Sequence, residues 1–204
     1  MGLKMTTIEA VKSATPEKFM AFLVDLFHRG ESLSYGRGQV SMCAHMLQTA
    51  DLAASANASP SQIIASLLHD VGHFGTDFPI DFVDERHTVM QAAINDHHHE
   101  EAGAVMLATY FEPEVSEPVR LHVPAKRYLC AVEPGYLEGL GATTLHTLNL
   151  QGGPMSEAEA KSFATLPYAT DAAQLRRWDD QAMVAGRIVP GFSHFLPLIQ
   201  SLMH

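Results

Sequence analysis

The stretch Ile63-Ile64-Ala65-Ser66-Leu67-Leu68-His69-Asp70-Val71-Gly72-His73 is the most informative part of this chain. An apolar segment of helical character ends there in an imidazole beside a carboxylate. Burying such a pair without compensation costs several kcal/mol. A metal ion is the usual compensation, because it binds a neutral imidazole and a carboxylate together. The stretch therefore predicts a helix that delivers two ligands to a metal centre.

Composition and charge set limits on the class of protein. The chain has 204 residues, 47% of them hydrophobic, which suits one domain with a sizeable core. A formal net charge of −10 argues against a nucleic-acid-binding surface. We see no apolar run long enough for a membrane span, no signal peptide and no evident obligatory protein partner. The two cysteines, Cys43 and Cys130, fit a reducing cytoplasm, and the 12 histidines point towards metal binding.

The apolar periodicity predicts helices throughout the chain and no β-hairpin. Ser59 and Pro60 form an N-cap and first turn, and Ser156 and Glu159 form a capping box. The predicted helices cover residues 17–29, 40–57, 60–70, 97–111 and 167–185, with one or two more over 114–129. Residues 72–96 are expected to be a long loop, and the tail 190–204 to pack on the core. We therefore predict one all-α domain over residues 1–204, with its core at 35–182 and helical extensions at both ends.

Further candidate ligands are scattered along the predicted helices. They are His45, the run His97-His98-His99, His122 and Asp179. Taken singly, a helical histidine is more often a core or surface residue, and Asp179 could be an ordinary ion-paired acid. The order of these residues is more informative than any one of them.

That order, His, His-Asp, His, His, Asp, resembles the HD-domain superfamily of helical metalloenzymes. Six protein ligands exceed what one ion with an open position needs, and they suit two ions that share a bridging carboxylate. Imidazole and carboxylate ligands favour iron, manganese or zinc, and no thiolate is offered.

A closer resemblance is to the mixed-valent di-iron oxygenases within that superfamily. It is carried by the runs 122–130, HVPAKRYLC, 150–155, LQGGPM, and 175–182, LRRWDDQA, and it spans about residues 35–180. Such enzymes use O₂ to cleave the carbon–phosphorus bond of 1-hydroxy-2-aminoethylphosphonate or its N-trimethyl analogue. The products are phosphate and either glycine or glycine betaine. The resemblance implies two iron ions, Fe(II) and Fe(III), as cofactors and a small phosphonate as substrate.

The resemblance also implies roles for individual residues. His45, His69 and Asp179 would bind one iron, His99 and His122 would bind the other, and Asp70 would bridge them. His99 is preferred to His98 because a His-x-x-x-Gly pattern ends at Gly103; His98 remains the alternative.

A phosphonate also needs cations and hydrogen-bond donors. His73 lies four residues after His69, Lys126 four after His122, and Arg176 three before Asp179, so each faces the same side as a ligand. Thr144 and Thr147 match hydroxyl positions of the family and could donate hydrogen bonds. The alternative for Lys126 and Arg176 is a solvated helix face.

Two features bear on the other end of the substrate. Tyr35 matches a tyrosine that occupies the open iron position until substrate displaces it, so we assign it to catalysis and binding together with His73 and Lys126. The acid expected just after that tyrosine is absent, and Gly36-Arg37-Gly38-Gln39 stands in its place. The acidic loop 77–96, with Phe78 and Phe82, could receive a quaternary ammonium.

Two other functions occur to us for a domain of this type. An HD phosphohydrolase would attack a nucleotide or phosphoester with a metal-bound hydroxide. A binding module that has lost catalysis would lack ligands, whereas all six positions are filled here.

Overall fold

The computed structural model describes residues 11–30, 34–35, 40–74 and 98–204. Within these ranges the fold is built from α-helices, and the prediction of an all-α protein is confirmed. The helices are α1 (Pro16–Gly30), α2 (Met42–Ser55), α3 (Pro60–Leu68), α4 (His99–Leu107), α5 (Pro113–Val132), α6 (Tyr136–Gly139), α7 (Ala142–Leu150), α8 (Glu157–Ala164), α9 (Ala169–Gln181) and α10 (Phe192–Leu202), with a 3₁₀ helix, η1 (Val71–Phe74), after α3.

One small strand pair departs from the prediction. β1 (Ser34–Tyr35) pairs antiparallel with β2 (Val40–Ser41), with Tyr35 opposite Val40. The helix predicted to start at residue 40 starts instead at Met42, because the Ser41 side chain accepts a hydrogen bond from the Ala44 amide at 3.0 Å and caps the helix. The predicted long loop 72–96 was wrong at its start, because residues 72–74 belong to η1, and its remainder lies outside the described residues.

Local sequence signals explain several helix boundaries. Ser59 accepts a hydrogen bond from the Gln62 amide and Pro60 begins α3, as predicted. Ser156 and Glu159 form the predicted capping box at the start of α8. Residues 114–129 belong to one continuous helix, α5, despite the internal Pro118 and Pro124.

Helix α5 is the centre of the bundle, so residues from the middle of the sequence lie in the interior. It packs against α3, α4, α8 and α9, while α2 packs against α3 and α9. The main core joins α1, α2, α3, α4 and the tail helix α10, where Phe195 and Ile199 are buried. The predicted core packing of the tail is thus confirmed. None of the helices in the described ranges combines the length and apolar character of a membrane span.

Candidate metal centre

Five segments of the bundle deliver the predicted ligands to one buried place. α2 contributes His45, the turn directly after α3 contributes His69 and Asp70, and α4 begins with His99. The remaining two, His122 and Asp179, come from the middle of α5 and from α9. All six side chains are buried, with His45 and His69 fully so. Residues more than 130 positions apart in sequence therefore meet in the interior.

The first group of ligands, cluster A, comprises His45, His69 and Asp179. The Nε2 atoms of His45 and His69 are 3.2 Å apart. Asp179 Oδ1 lies 3.0 Å from Nε2 of His45 and 3.6 Å from Nε2 of His69. Three ligand atoms of the types that iron and zinc bind therefore converge within a few ångströms.

The second group, cluster B, comprises His99 and His122. Their Nε2 atoms are 3.1 Å apart, and both rings are buried. Two nitrogens bound at about 2.1 Å to one ion and at right angles to each other would be separated by about 3 Å. The spacing in both clusters fits a shared metal ion.

Asp70 lies between the clusters and presents a different oxygen to each. Its Oδ2 is 3.6 Å from His45 Nε2 and 3.4 Å from His69 Nε2. Its Oδ1 is 3.5 Å from His99 Nε2 and 3.9 Å from His122 Nε2. Oδ2 is buried and has no hydrogen-bond partner among the described residues. This is the arrangement of a carboxylate that bridges two ions.

Backbone carbonyls set the orientation of three imidazole rings. Nδ1 of His69 donates to the Ser66 carbonyl at 2.9 Å, and Nδ1 of His122 donates to the Val119 carbonyl at 2.7 Å. Nδ1 of His45 donates to the Ala182 carbonyl at 2.9 Å. Since a carbonyl oxygen only accepts, the lone pair of each neutral ring is left on Nε2, which points into its cluster. Ring nitrogens that face one another and a carboxylate oxygen without a donor are surroundings that a cation satisfies, whether it is a proton or a metal ion.

Residues 182–187, here called the strap, pack along α2 and hold in place the Ala182 carbonyl that accepts the hydrogen bond from His45. The Gln48 amide makes two hydrogen bonds with the Val184 backbone, at 2.9 and 3.0 Å. Arg187 pairs with Asp51 at 2.8 Å. Because His45, Gln48 and Asp51 are three residues apart along α2, one helix face binds the whole strap.

Charge differs sharply between the clusters. Burial disfavours a charged His69, but the Asp70 and Asp179 carboxylates outweigh that effect and raise the pKa of His69 to about 10. Burial and the charge of His69 lower the pKa of His122 to about 3. Burial and the charge of His73 lower the pKa of His99 well below its usual value. Cluster A therefore favours positive charge, and cluster B keeps neutral imidazoles.

Two glycines allow η1 and α4 to approach closely enough to form cluster B. A Cβ on Gly72 would lie 1.9 Å from the His99 carbonyl oxygen and 2.6 Å from the Gly103 nitrogen. A Cβ on Gly103 would lie 3.3 Å from the Gly72 nitrogen. Only glycine at position 72 permits this contact. Gly103 of the His-x-x-x-Gly pattern is thus part of the packing that places His99 beside Asp70.

The comparisons with known proteins agree with this geometry. The HD domain family matches residues 42–148, more than half of the chain. This chain belongs to the HD domain family. It is 38% identical over 191 residues to hydroxymethylphosphonate dioxygenase of Gimesia maris, with 94% of this chain and 91% of that protein covered. It is 37% identical over 183 residues to the glycine-betaine-forming [1-hydroxy-2-(trimethylamino)ethyl]phosphonate dioxygenase of Leisingera caerulea, with 89% of each covered.

The HD domain buries two of the predicted substrate-binding residues beside cluster B. Lys126, only 2% exposed, donates to Thr147 Oγ1 at 3.1 Å, and Thr147 Oγ1 donates to the Thr144 carbonyl at 3.0 Å. The His73 ring stacks on the His99 ring, with centroids 4.0 Å apart. The solvated face considered for Lys126 is therefore not found. The substrate contacts of these residues stay predictions.

Arg176 is buried against cluster A. Its Nη1 lies 2.6 Å from Asp179 Oδ2, and Nη2 pairs with Asp180. Its Nε has no hydrogen-bond partner among the described residues. The predicted contact of Arg176 with substrate stays a prediction, whereas its contact with a predicted ligand is observed.

The remaining predicted residues are placed less completely. His98 is 69% exposed, so the structure turns this alternative ligand away from the cluster and His99 into it. Tyr35 lies in β1, but its side chain and residues 36–39 are outside the description, as is the loop 77–96. The assignment of all these residues to roles in binding or catalysis stays a prediction.

Sequence reasoning missed two acids that contact the site. Glu100 is 5% exposed, with Oε2 3.6 Å from His99 Nδ1. Asp180 contacts Arg176 from the position after Asp179. Adjacency to a predicted ligand was the available signal for both, but the pattern of charges did not distinguish them from exposed acids.

Proposed function

We propose that this HD domain protein is an iron-dependent phosphonate dioxygenase that cleaves the carbon–phosphorus bond of a 1-hydroxyphosphonate. The observation that carries the proposal is Asp70, which presents one oxygen to each histidine pair while the buried Lys126 lies beside cluster B. Both similar dioxygenases have names that specify a phosphonate with a hydroxyl on the carbon next to phosphorus. Paired metal ligands and a buried ammonium suit that chemistry.

The donor set fits two iron ions. His45, His69 and Asp179 would hold one ion, His99 and His122 the other, and Asp70 both. When bound, iron supplies the redox chemistry that activates O₂ and the Lewis acidity that binds the substrate oxygens. In the overall reaction, one O₂ and one 1-hydroxyphosphonate yield one carboxylic acid and one phosphate, which balances every atom.

The protein's own residues would position the metal ligands, neutralise the phosphonate and shield the reacting groups from water. Burial of the six predicted ligands excludes water from the reacting groups. The Lys126 ammonium, held by Thr147, would neutralise a phosphonate oxygen. His73, with Nε2 3.8 Å from Asp70 Oδ1, would offer a further hydrogen bond near the bridge. Arg176 holds Asp179 in the orientation that cluster A needs.

For the substituent on the hydroxyl-bearing carbon, we propose aminomethyl or trimethylammoniomethyl, so that the products are phosphate and glycine or glycine betaine. The 37% identity to the relative named for the trimethylamino compound supports this class. Because the other relative is named for hydroxymethylphosphonate, this compound, which has no substituent on the hydroxyl-bearing carbon, must be tested as a third substrate. The presence of only two cysteines in the chain, Cys43 and Cys130, agrees with the proposal of a reducing, cytoplasmic environment.

The test is to measure O₂ consumption and phosphate release together in iron-loaded protein with the three 1-hydroxyphosphonates. We expect equal amounts of O₂ consumed and phosphate released. Phosphate release without O₂ consumption, or release from phosphoesters alone, would instead identify an HD phosphohydrolase. A higher kcat/KM with hydroxymethylphosphonate than with both substituted compounds would overturn the proposed substituent.

A further inference from the structure

Asp179 is held from both sides. Its Oδ1 faces His45 and His69, at 3.0 and 3.6 Å. Its Oδ2 accepts from Arg176 Nη1 at 2.6 Å, within one turn of α9. A carboxylate in this setting cannot rotate without losing a buried ion pair, which is costly when one partner is left unpaired. The direction of Asp179 Oδ1 therefore depends on the position of the Arg176 guanidinium.

Arg176 is in turn held by Asp180 and Tyr136. Nη2 of Arg176 donates to Asp180 Oδ1, and the Tyr136 hydroxyl donates to Asp180 Oδ2. Burial raises the pKa of the Tyr136 hydroxyl, which keeps it a donor. Tyr136 thus extends a chain of three contacts from α6 to the predicted metal ligand.

The turn that carries Tyr136 is itself anchored to α9. Arg177 donates to Glu133 Oε2 from Nε at 3.1 Å and from Nη2 at 2.6 Å. Gly135, with φ of +81°, then redirects the backbone so that Tyr136 begins α6. Neighbouring arginines on α9 therefore have separate partners: Arg177 fixes the end of α5, and Arg176 fixes Asp179.

We infer that Asp180 and Tyr136 are positioning residues that orient Asp179 through Arg176 and so determine how tightly cluster A holds its metal ion. The chain of contacts reaches cluster A and not cluster B, since Asp179 contacts only His45 and His69 among the four predicted histidine ligands. The inference rests on the proposed function only in requiring metal at the site. It adds two residues that the sequence did not assign to any role.

The test measures metal binding without substrate, using manganese(II) and iron(II) under anaerobic conditions in wild type, Asp180→Asn and Tyr136→Phe. We expect Asp180→Asn to weaken one of two bound equivalents by about 10- to 100-fold and to leave the other unchanged. Tyr136→Phe should weaken the same equivalent several-fold. Asp180→Glu, which restores the charge, should recover part of the affinity.

Tyr128→Phe is the matched control, because the Tyr128 ring lies on α5 and packs on Phe163 of α8. It should bind both equivalents as wild type does. Unchanged affinity in folded Asp180→Asn and Tyr136→Phe, or equal weakening of both equivalents, would overturn the inference. If Asp180→Asn does not fold, Tyr136→Phe alone decides. Wild-type protein that binds two equivalents but consumes no O₂ would refute the proposed function and leave this inference standing.

Discussion

Clusters A and B share Asp70 but differ in the charges around them. Cluster A adds a second carboxylate, Asp179, and the two acids raise the pKa of His69 to about 10. At cluster B, burial and the nearby charges of His73 and Lys126 lower the pKa of His99, and burial and the charge of His69 lower the pKa of His122 to about 3. Cluster A is thus built to stabilise a cation. Cluster B leaves its ion with positive neighbours, which suits an anionic substrate bound there.

The largest effect is expected from Asp70→Asn, which removes the charge shared by both clusters. Because each oxygen of Asp70 faces one histidine pair, we expect both equivalents of metal and all measurable activity to be lost. Metal content by mass spectrometry checks this. His98→Ala, at a position 69% exposed, should retain both equivalents. Retention of one full equivalent by Asp70→Asn would show that the carboxylate belongs to a single cluster.

Gly72→Ala should damage cluster B selectively. The new methyl group would lie 1.9 Å from the His99 carbonyl oxygen, so η1 and α4 must separate. We expect a loss of about 1–3 kcal/mol in the free energy of unfolding and loss of one metal equivalent. Chemical denaturation and metal analysis measure the two effects. Gly139→Ala, whose methyl group meets no atom within 4 Å, is the control; equal behaviour of the two variants would contradict the packing argument.

Lys126→Met should separate substrate binding from metal binding. A hydrogen bond to a charged group is worth about 1.5–3 kcal/mol, so we expect kcat/KM for the phosphonate to fall about 10- to 150-fold. Both metal equivalents should remain. Lys161→Met, which removes an exposed ammonium paired with Glu157, should leave the kinetics unchanged. A variant at Lys126 with normal kcat/KM would assign the lysine a purely structural role.

The smallest effect is a difference in proton release between the clusters. In metal-free protein at pH 7, His69 is protonated because its pKa is raised to about 10, whereas His122 is neutral because its pKa is lowered to about 3. A metal ion must displace the His69 proton, so affinity at cluster A should rise as pH increases towards 10, and affinity at cluster B should not. Calorimetry in two buffers counts the protons.

Two variants separate these contributions. His99→Ala leaves cluster A intact, and His45→Ala leaves cluster B intact. We expect release of about one proton in His99→Ala and about none in His45→Ala. Release of equal numbers of protons by both variants would contradict the proposed difference in charge between the clusters.

Much of the fold and of the candidate site was predictable because short-range rules govern it. The apolar spacing of α1, the Ser59 cap and the Ser156 capping box each depend on residues within one turn. The prediction that residue 40 is helical was wrong, because strand pairing with Tyr35 is a contact between segments. The six residues that converge were implied by the resemblance of this order of histidines and acids to the HD-domain superfamily, and their types are those that metal ions bind.

The sequence by itself determined the helical class, the residue types of the site and the need for a compensating cation beside His69-Asp70. Only the tertiary structure decided that His99 and not His98 faces Asp70, because that choice depends on the contact between Gly72 and Gly103. The same holds for Asp180 and Gln48, whose partners lie on other segments. The local sequence shows the chemistry of each side chain, whereas the burial and orientation of that side chain depend on packing between segments that are distant in the sequence.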